Sequence, residues 1–288
     1  MTAVAATEAP GRPRRRMVVR PPSFLLIGSF VVIGIVLACV IAGNWIAPHD
    51  PAEQNALLSV QPPSASHLLG TDQLGRDVLS RLMAGARQAM IGPLAVAIIA
   101  VTLGLLLGMI AGYRGGLADS IIARTTDVLY CMPALLIAIV VVGLVDGSYL
   151  VTILVLAFLT FPGDVRIFRS VTMVESRLPY VDAAKTLGLQ QSRILARHVL
   201  PNVMPTMVST FLLEFAGALV GFSALAFLGL GVKAGGVDWG TILADGQDQL
   251  FVNPMMSLGP AILLILVAAS VTIIGDWIYD RYSTKGDR

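Results

Sequence analysis

The chain has 288 residues, of which 56% are hydrophobic and only 13% are charged. Soluble domains carry about 25% charged residues, so this composition excludes an ordinary soluble protein and indicates an integral membrane protein. The net charge is only +2 and the basic residues are not interleaved with exposed aromatics, which argues against nucleic-acid binding. Cys39 and Cys131 lie in apolar runs and therefore predict neither a disulfide nor a metal site.

In chain order, the sequence opens with residues 1–20, which are rich in Ala, Pro and Arg and predict a disordered basic tail. Six apolar segments follow, each long enough to cross about 30 Å of hydrocarbon, so we expect an all-α polytopic membrane protein with six transmembrane helices. The segments are 24–46, 89–112, 121–145, 149–166, 204–230 and 258–279. The fourth is the least regular, because Pro162, Gly163 and Asp164 interrupt its end.

The distribution of Lys and Arg orients these spans. With the N-terminus inside, sixteen basic residues fall on the cytoplasmic side and four fall outside. The cytoplasmic set is Arg12, Arg14, Arg15, Arg16, Arg20, Arg114, Arg124, Arg166, Arg169, Arg177, Lys185, Arg193, Arg197, Arg281, Lys285 and Arg288. The external set is Arg76, Arg81, Arg87 and Lys233. Both termini and the 167–203 loop are therefore predicted to be cytoplasmic, and segments 47–88 and 231–257 to form external caps.

Glycines recur every four residues on two spans, at 104, 108 and 112 in the second and at 217 and 221 in the fifth. This spacing places them on one helix face and predicts close helix packing. Glu214 lies three residues before Gly217 and is expected to face protein. An ionisable group at membrane depth is costly, so Glu214 serves either the substrate path or a buried hydrogen bond, and the sequence leaves both open.

Two charged residues lie near the cytoplasmic end of the third span. Arg124 and Asp127 are three residues apart on one helical face, which predicts a local ion pair. Together with Glu214, they are the polar groups of the spans that we consider for a substrate path.

The predicted loop 167–203 contains the run Tyr-Val-Asp-Ala-Ala-Lys-Thr-Leu-Gly at 180–188. Small residues at Ala183, Ala184 and Gly188 predict a short helix that another protein could approach closely. Asp182 lies near the start of this helix, where unsatisfied N–H groups and the helix dipole favour a carboxylate. Since glycine is a poor helix former, we expect a larger residue at 188 to leave the helix intact. Pro201 is predicted to end the following helix.

This loop resembles the coupling loop of binding-protein-dependent ABC importer permeases, with Asp-Ala-Ala at 182–184, Gly188, and Leu-Pro at 200–201. The run HLLGTDQLGRDVLSR at 67–81 is similar to the segment preceding the second span in dipeptide, oligopeptide and nickel permeases. Further similarities are HVLPN at 198–202, FLGLG at 227–231, Trp-Gly at 239–240 and Gly-Asp-Trp at 275–277. The resemblance covers residues 20–281 and is specific to the C-type subunit.

The resemblance implies a type I ABC importer permease fold and a permease subunit in the bacterial inner membrane. Residues 21–88 would hold the first span and an external segment, residues 89–281 the core permease domain, and residues 282–288 a cytoplasmic tail. The implied partners are a second permease, two cytoplasmic ATPases, an external binding protein and membrane lipids, and the implied solute is a di- or oligopeptide. The implied ATPase-coupling residues are Asp182, Ala183, Ala184, Lys185, Gly188, Leu200 and Pro201.

The chain also departs from the family pattern. Asp182 replaces the usual Glu, His198 replaces an Ile of many subfamilies, and Phe222 stands where an acidic residue is usual. The family's C-terminal Arg-Asp-x-Leu-Asp-Pro is reduced to Tyr-Asp-Arg at 279–281. These departures weaken the inference of a particular substrate from the family, but not the inference of a coupling role.

No lysine follows a glycine, so the chain lacks a Gly-x4-Gly-Lys phosphate loop. We therefore predict a non-catalytic subunit without a cofactor of its own, with ATP and Mg used by the partner ATPases. His49, His67 and His198 are too dispersed to predict a metal site from spacing. The alternatives are an importer of nickel or another small solute, a proton-coupled secondary transporter using Glu214 or Asp127, and a membrane scaffold.

Overall fold

The computed structural model describes residues 23–145, 147–232 and 236–283. The predicted tail 1–20, Lys233 and the charged residues at 285 and 288 lie outside the described residues. Within the described part the chain is helical, and its only strand-like pairing is an isolated bridge between Thr71 and Asp77. The ten α-helices are α1 (Ser23–Ile46), α2 (Val78–Arg114), α3 (Gly116–Tyr130), α4 (Ala134–Leu144), α5 (Tyr149–Glu175), α6 (Pro179–Thr186), α7 (Gln191–Ile194), α8 (Leu200–Phe227), α9 (Trp239–Gly246) and α10 (Met255–Ser283).

The prediction of six spans agrees with five long apolar helices and one bent pair, which gives the sixth when it is counted as a single span. The helices α1, α2, α5, α10 and the continuous stretch Gln191–Phe227 each satisfy the length and hydropathy of a membrane span. The sixth span is the pair α3 and α4, which are bent by 78° at residues 131–133. The bend follows from Pro133, because proline cannot donate a helical hydrogen bond and disfavours helix at the residue before it.

Of the helix ends that differ from the sequence prediction, two have a clear physical reason. The second span begins at Val78 and not at residue 89, because Asp77 caps the helix by accepting a 2.8 Å hydrogen bond from the Ser80 amide. The fourth span does not end near residue 166 but continues through Pro162 to Glu175. Both Pro162 and Asp164 are buried there, so packing of α5 against the bundle outweighs the local preference of proline for a helix end.

The two glycine stripes behave differently. A Cβ atom on Gly108 would lie 2.7 Å from the Phe168 Cβ and 2.8 Å from the Val165 carbonyl oxygen, so α2 and α5 cross in direct backbone contact. Gly104 and Gly112 meet α5 equally closely, which confirms the first stripe. The second stripe packs only in part: a Cβ on Gly217 would have no neighbour within 4 Å, and one on Gly221 would meet Leu156 of α5 at 4.0 Å. The face of α8 that carries Gly217 is exposed in the single chain.

The segments 47–77 and 236–254 form a cap over one end of the bundle. At its centre Asp72, only 1% exposed, accepts hydrogen bonds from Arg76 Nε at 2.7 Å and from Arg81 Nη1 at 2.5 Å. Arg81 also donates to Asp245 of α9 at 3.2 Å, and the Trp239 indole donates to the Leu82 carbonyl at 2.9 Å. These charged and polar contacts join the first turn of α2 to α9, and the motif at 67–81 supplies most of them.

The carboxylate of Asp77 lies in the same region. Burial alone would raise the pKa of Asp77, but hydrogen bonds from Ser80 and His67 and the charge of His49 outweigh it and lower the pKa below its usual value. Asp77 therefore remains an ionised cap at the start of α2, where the helix dipole also favours negative charge.

The side chain of Asp238 caps α9, and its carbonyl oxygen accepts a hydrogen bond from the Ile242 amide. Its buried carboxylate predicts a pH effect on stability. Burial raises its pKa to about 6, although the hydrogen bond from the Gly240 amide opposes the shift. Because this pKa exceeds its ordinary value of 3.8, the buried charge lowers stability above pH 6, and the penalty disappears as the pH falls towards 4. Lowering the pH from 7.5 to 5 should therefore stabilise the wild type by about 1 kcal/mol more than Asp238→Asn.

Thermal unfolding of the purified chain at the two pH values measures this difference. The Asn variant keeps an oxygen acceptor for the Gly240 amide and removes only the charge, so it isolates the titration. An identical pH response of the two proteins would show that Asp238 is not the titrating group.

Candidate coupling site

The 176–199 segment lies at the end of the bundle opposite the cap and is built around the short helix α6. Pro179 occupies the first turn, where its missing N–H costs nothing and its fixed φ favours the helix. Asp182 also lies in the first turn, as predicted, and pairs with Lys185 at 3.0 Å. Both side chains are about half exposed, so this pair contributes little to stability. The Lys185 ammonium also lies 6.0 Å from the Tyr113 ring at the end of α2.

Gly188 does not lie inside α6 but ends it. Its φ is +73°, its amide donates to the Lys185 carbonyl, and the Leu189 amide donates to the Ala184 carbonyl. These two bonds form the glycine-dependent C-terminal cap known as the Schellman motif. The expectation that a larger residue would leave the helix intact is therefore wrong, because most L-residues pay about 1 kcal/mol or more in a left-handed conformation.

The helix α6 has an inward and an outward face. Val181 and Ala184 are buried in a cluster with Phe168 and Ile194, so Ala184 is a packing residue and not part of an open surface. Ala183 and Gly188 are exposed, and a Cβ on Gly188 would have no neighbour within 4 Å. Leu187 is 79% exposed between them. The outward face of α6 therefore presents one large apolar side chain between two positions without bulk.

Tyr180 fixes this helix to the rest of the bundle. Its hydroxyl donates to Glu175 Oε1 at 2.5 Å and accepts from Asn202 Nδ2 at 2.9 Å. Burial and the hydrogen bond to Glu175 raise the pKa of Tyr180 to about 12, so the hydroxyl remains a donor at neutral pH. The side chain thus joins the end of α5 and the start of α8. The sequence motif contains Tyr180 and Asn202, but no pattern indicated Glu175 as their partner.

Leu200 and Pro201 do not end a helix. They begin α8, which follows α7 without a break through a π-helical turn at Leu195–Val199, where the Leu200 amide donates to the Leu195 carbonyl. The prediction failed because the wider π turn accommodates the chain before Pro201, whose nitrogen has no hydrogen to donate. The loop is therefore connected to α8 by continuous helix and moves with it.

The ion pair predicted between Arg124 and Asp127 is wrong. Asp127 instead accepts a 2.6 Å hydrogen bond from Arg166 of α5, and the Arg166 guanidinium lies 4.4 Å from the Tyr130 ring. One turn further along α5, Arg169 pairs with Asp119 of α3. Contacts between spans replace the local pair, because the packing of α3 against α5 brings opposite charges together. Arg124 is exposed and has no salt-bridge partner within the described part of the chain.

Glu214 is accompanied by a second buried acid that the sequence analysis treated only as a helix interruption. Asp164 of α5 is 4% exposed and interacts electrostatically with Glu214 of α8. Among the described residues, Asp164 Oδ2 and Glu214 Oε1 are buried without a well-formed hydrogen bond, and the Thr160 hydroxyl one turn from Asp164 faces the Glu214 carboxylate. Buried polar atoms without partners are rare in native proteins. The two roles considered for Glu214, a place in the substrate path or a buried hydrogen bond, therefore apply to Asp164 as well.

Two of the three histidines also meet, contrary to their separation in sequence. The rings of His49 and His67 lie 4.7 Å apart in the cap and face Asp77. His198 lies at the other end of the bundle, with its ring 6.5 Å from that of Tyr180.

The helical bundle, its bent third span and its anchored loop define a polytopic membrane protein of the transporter type. The family of binding-protein-dependent transport system inner membrane components matches residues 104–285, which include α5 to α9 and the loop between α5 and α8. The chain belongs to this family and is a permease of an ABC importer.

Relatives of known designation support this assignment over most of the chain. The chain is 33% identical to the di/tripeptide transport system permease protein DppC of Pseudomonas aeruginosa, over 90% of this chain and 88% of the relative. It is 30% identical to the oligopeptide transport system permease protein OppC of Bacillus subtilis, over 92% and 87%. Its fold is similar to a chain of the MetNI methionine ABC transporter in an inward-facing conformation, with a TM-score of 0.51 and 18% identity. That match covers 69% of this chain and 97% of the other.

Proposed function

We propose that this permease imports di- or oligopeptides across the bacterial inner membrane, using ATP hydrolysed by two cytoplasmic partner subunits. The relatives just described carry di/tripeptide and oligopeptide designations, and the family is defined by dependence on a binding protein. A homologous second permease would complete the translocation path, and an external binding protein would deliver the peptide to the cap. The chain itself is non-catalytic and binds no cofactor in this scheme, because ATP and Mg belong to the ATPases.

One observation carries the coupling role. The outward face of α6 presents Ala183, Leu187 and Gly188, while its inward face is packed against the bundle. An ATPase groove that covers Leu187 would bury apolar surface at about 25 cal/mol per Å2. Asp182 and Lys185 flank this surface and would set its polar rim. The sixteen-to-four distribution of basic residues supports a cytoplasmic location for this loop and both termini.

The contacts of the loop explain how motion would reach the spans. Tyr180 joins α6 to α5 and to α8, and the π turn connects α7 to α8 before Leu200 and Pro201 without a hinge loop. A displacement of α6 by the closing ATPases would therefore move α5 and α8 as attached bodies. Rigid-body rocking of packed elements is a common basis of switching between two conformations.

The energy source tests the proposal directly. Uptake of a dipeptide by cells or vesicles containing the complete transporter should vanish when the ATPase loses its phosphate-loop lysine. It should persist when the proton gradient collapses at constant ATP. Glu214→Gln keeps size and removes the charge, so this variant should retain much of the activity. A proton-coupled carrier would behave oppositely, because a neutral amide cannot bind and release the driving proton.

Uptake that requires the gradient and Glu214 but not the ATPase would overturn the importer scheme. Uptake of nickel in place of peptides, with the same ATP requirement, would support the ATP-driven mechanism and overturn the proposed substrate.

A further inference from the structure

Three side chains from separate parts of the cap converge on one point. His49 follows α1, His67 lies in the long connection, and Asp77 caps α2. The Nδ1 atom of His67 lies 3.0 Å from Asp77 Oδ1, and the Nδ1 atom of His49 lies 3.9 Å from Asp77 Oδ2. Ligand atoms of the three residues all lie within 4.8 Å of one another. Two imidazoles and a carboxylate form a common ligand set for late first-row divalent cations.

The spacing is close to what such a cation requires. Zinc binds histidine nitrogen and carboxylate oxygen at about 2.0–2.2 Å, so two ligands of a tetrahedral site lie roughly 3.3 Å apart. The observed separations of 3.0 and 3.9 Å bracket this value. Side-chain rotation alone can close the remaining gap, because all three residues have rotatable χ angles.

The hydrogen bonds around the cluster hold it in place but leave one of its ligand nitrogens unpaired. Asp77 Oδ2 accepts from the Ser80 amide and hydroxyl, which leaves Oδ1 facing His67. The backbone amide of His49 donates to the same Ser80 hydroxyl at 3.0 Å. His49 Nδ1, in contrast, is buried and has no hydrogen-bond partner in the part of the chain that the structure describes. A fixed backbone with an unpaired ring nitrogen is suited to an additional ligand.

The cluster is also accessible from the cap side. A cavity of about 770 Å3 is lined by His49, Asp50 and Arg76, and the His49 side chain is 39% exposed. The positive charge of Arg76 is compensated by Asp72 at 2.7 Å, so it does not oppose a cation in this cavity.

We propose that His49, His67 and Asp77 bind a divalent cation of the zinc type, with water as the fourth ligand. When the cation binds, the proton between His67 Nδ1 and Asp77 moves to Nε2 through solvent, or leaves if the imidazole is charged. The site lies outside the spans and is independent of the proposed peptide transport. The bound ion joins the residues after α1 to the first turn of α2, and therefore stabilises the connection between these spans.

Zinc binding to the purified full chain, with its partner subunits, tests this site. Competition with a chromogenic chelator at pH 7.5 should reveal one site per chain, and His49→Ala should weaken it by about tenfold or more. His67→Asn retains a donor towards Asp77 and should weaken binding similarly while keeping the fold. His198→Ala is the matched control, because it removes a histidine from the opposite end and should bind zinc like the wild type.

Two further readouts separate a specific site from loose adsorption. Cobalt added in place of zinc should give the visible absorption bands of a tetrahedral nitrogen and oxygen site in the wild type and in His198→Ala, but not in His49→Ala. Zinc should raise the unfolding temperature of the same two proteins only. Equal zinc affinity in the wild type, His49→Ala and His67→Asn would overturn the proposal. So would a cobalt spectrum that His198→Ala loses.

Discussion

Leucine at position 108 is expected to prevent the chain from folding, whereas leucine at position 217 is expected to be tolerated. A Cβ atom at position 108 would lie less than 3 Å from the Phe168 Cβ and from the Val165 carbonyl oxygen. A backbone carbonyl cannot rotate away as a side chain can, so α2 and α5 would have to separate along their whole contact. Overpacking of this kind costs about 3 kcal/mol, a large part of the stability of a typical domain.

Gly217 provides the matched control, because the same substitution adds the same volume to a membrane helix with the same type of glycine spacing. Nothing lies within 4 Å of its Cβ position. The yield of membrane-inserted, monodisperse chain in detergent and its resistance to limited proteolysis measure the difference. Comparable yields of Gly108→Leu and the wild type would show that α2 and α5 are not in backbone contact.

Arginine at Gly188 is expected to abolish peptide-stimulated ATP hydrolysis by the assembled transporter. The Cβ of the arginine would meet no atom of this chain within 4 Å. The side chain would instead occupy the space that an ATPase needs in order to reach Leu187 and Ala183. The φ of +73° adds a second effect, because arginine is also unfavourable in this backbone conformation.

Two controls separate bulk from backbone strain. Asparagine tolerates the left-handed conformation and is small, so Gly188→Asn should retain most of the stimulated hydrolysis. Gly188→Ala introduces the strain without the bulk and should show an intermediate loss of at most about tenfold, equivalent to 1.4 kcal/mol. Equal losses in the alanine and arginine variants would mean that the C-terminal cap of α6 accounts for the effect. Undiminished hydrolysis with arginine would contradict docking at this surface.

The membrane class and the number of spans could be read from local pattern. The segment that became α1 is apolar along its entire length and exposes most of its side chains, so no tertiary contact was needed to predict it. The motif at 67–81 was recognised by resemblance. The structure shows what it does physically: Arg76 and Arg81 both donate hydrogen bonds to Asp72. The sequence placed the coupling surface around Gly188 between the fourth and fifth spans, and that role stays a prediction.

Several of the errors share one origin, since they concerned contacts between residues distant in sequence. Asp127 has Arg124 three residues away, yet α5 supplies Arg166 and replaces that local pair. Two glycine stripes with the same spacing packed differently, because only the stripe of α2 lies in backbone contact with a neighbouring helix in the single chain. Similarly, Pro162 should end a helix by local rules, but burial against α2 and α8 keeps α5 continuous.

The sequence by itself indicated a membrane protein of about six spans and the family to which it belongs, and it predicted which loops face the cytoplasm. These properties depend on hydropathy, charge and short motifs, whose energies are local and additive along the chain. Only the tertiary structure decided which polar groups meet: Asp164 with Glu214, Tyr180 with Glu175, and His49 with His67 and Asp77. Such pairs depend on helix rotation and crossing, which are set by the packing of whole faces and not by any short stretch of residues.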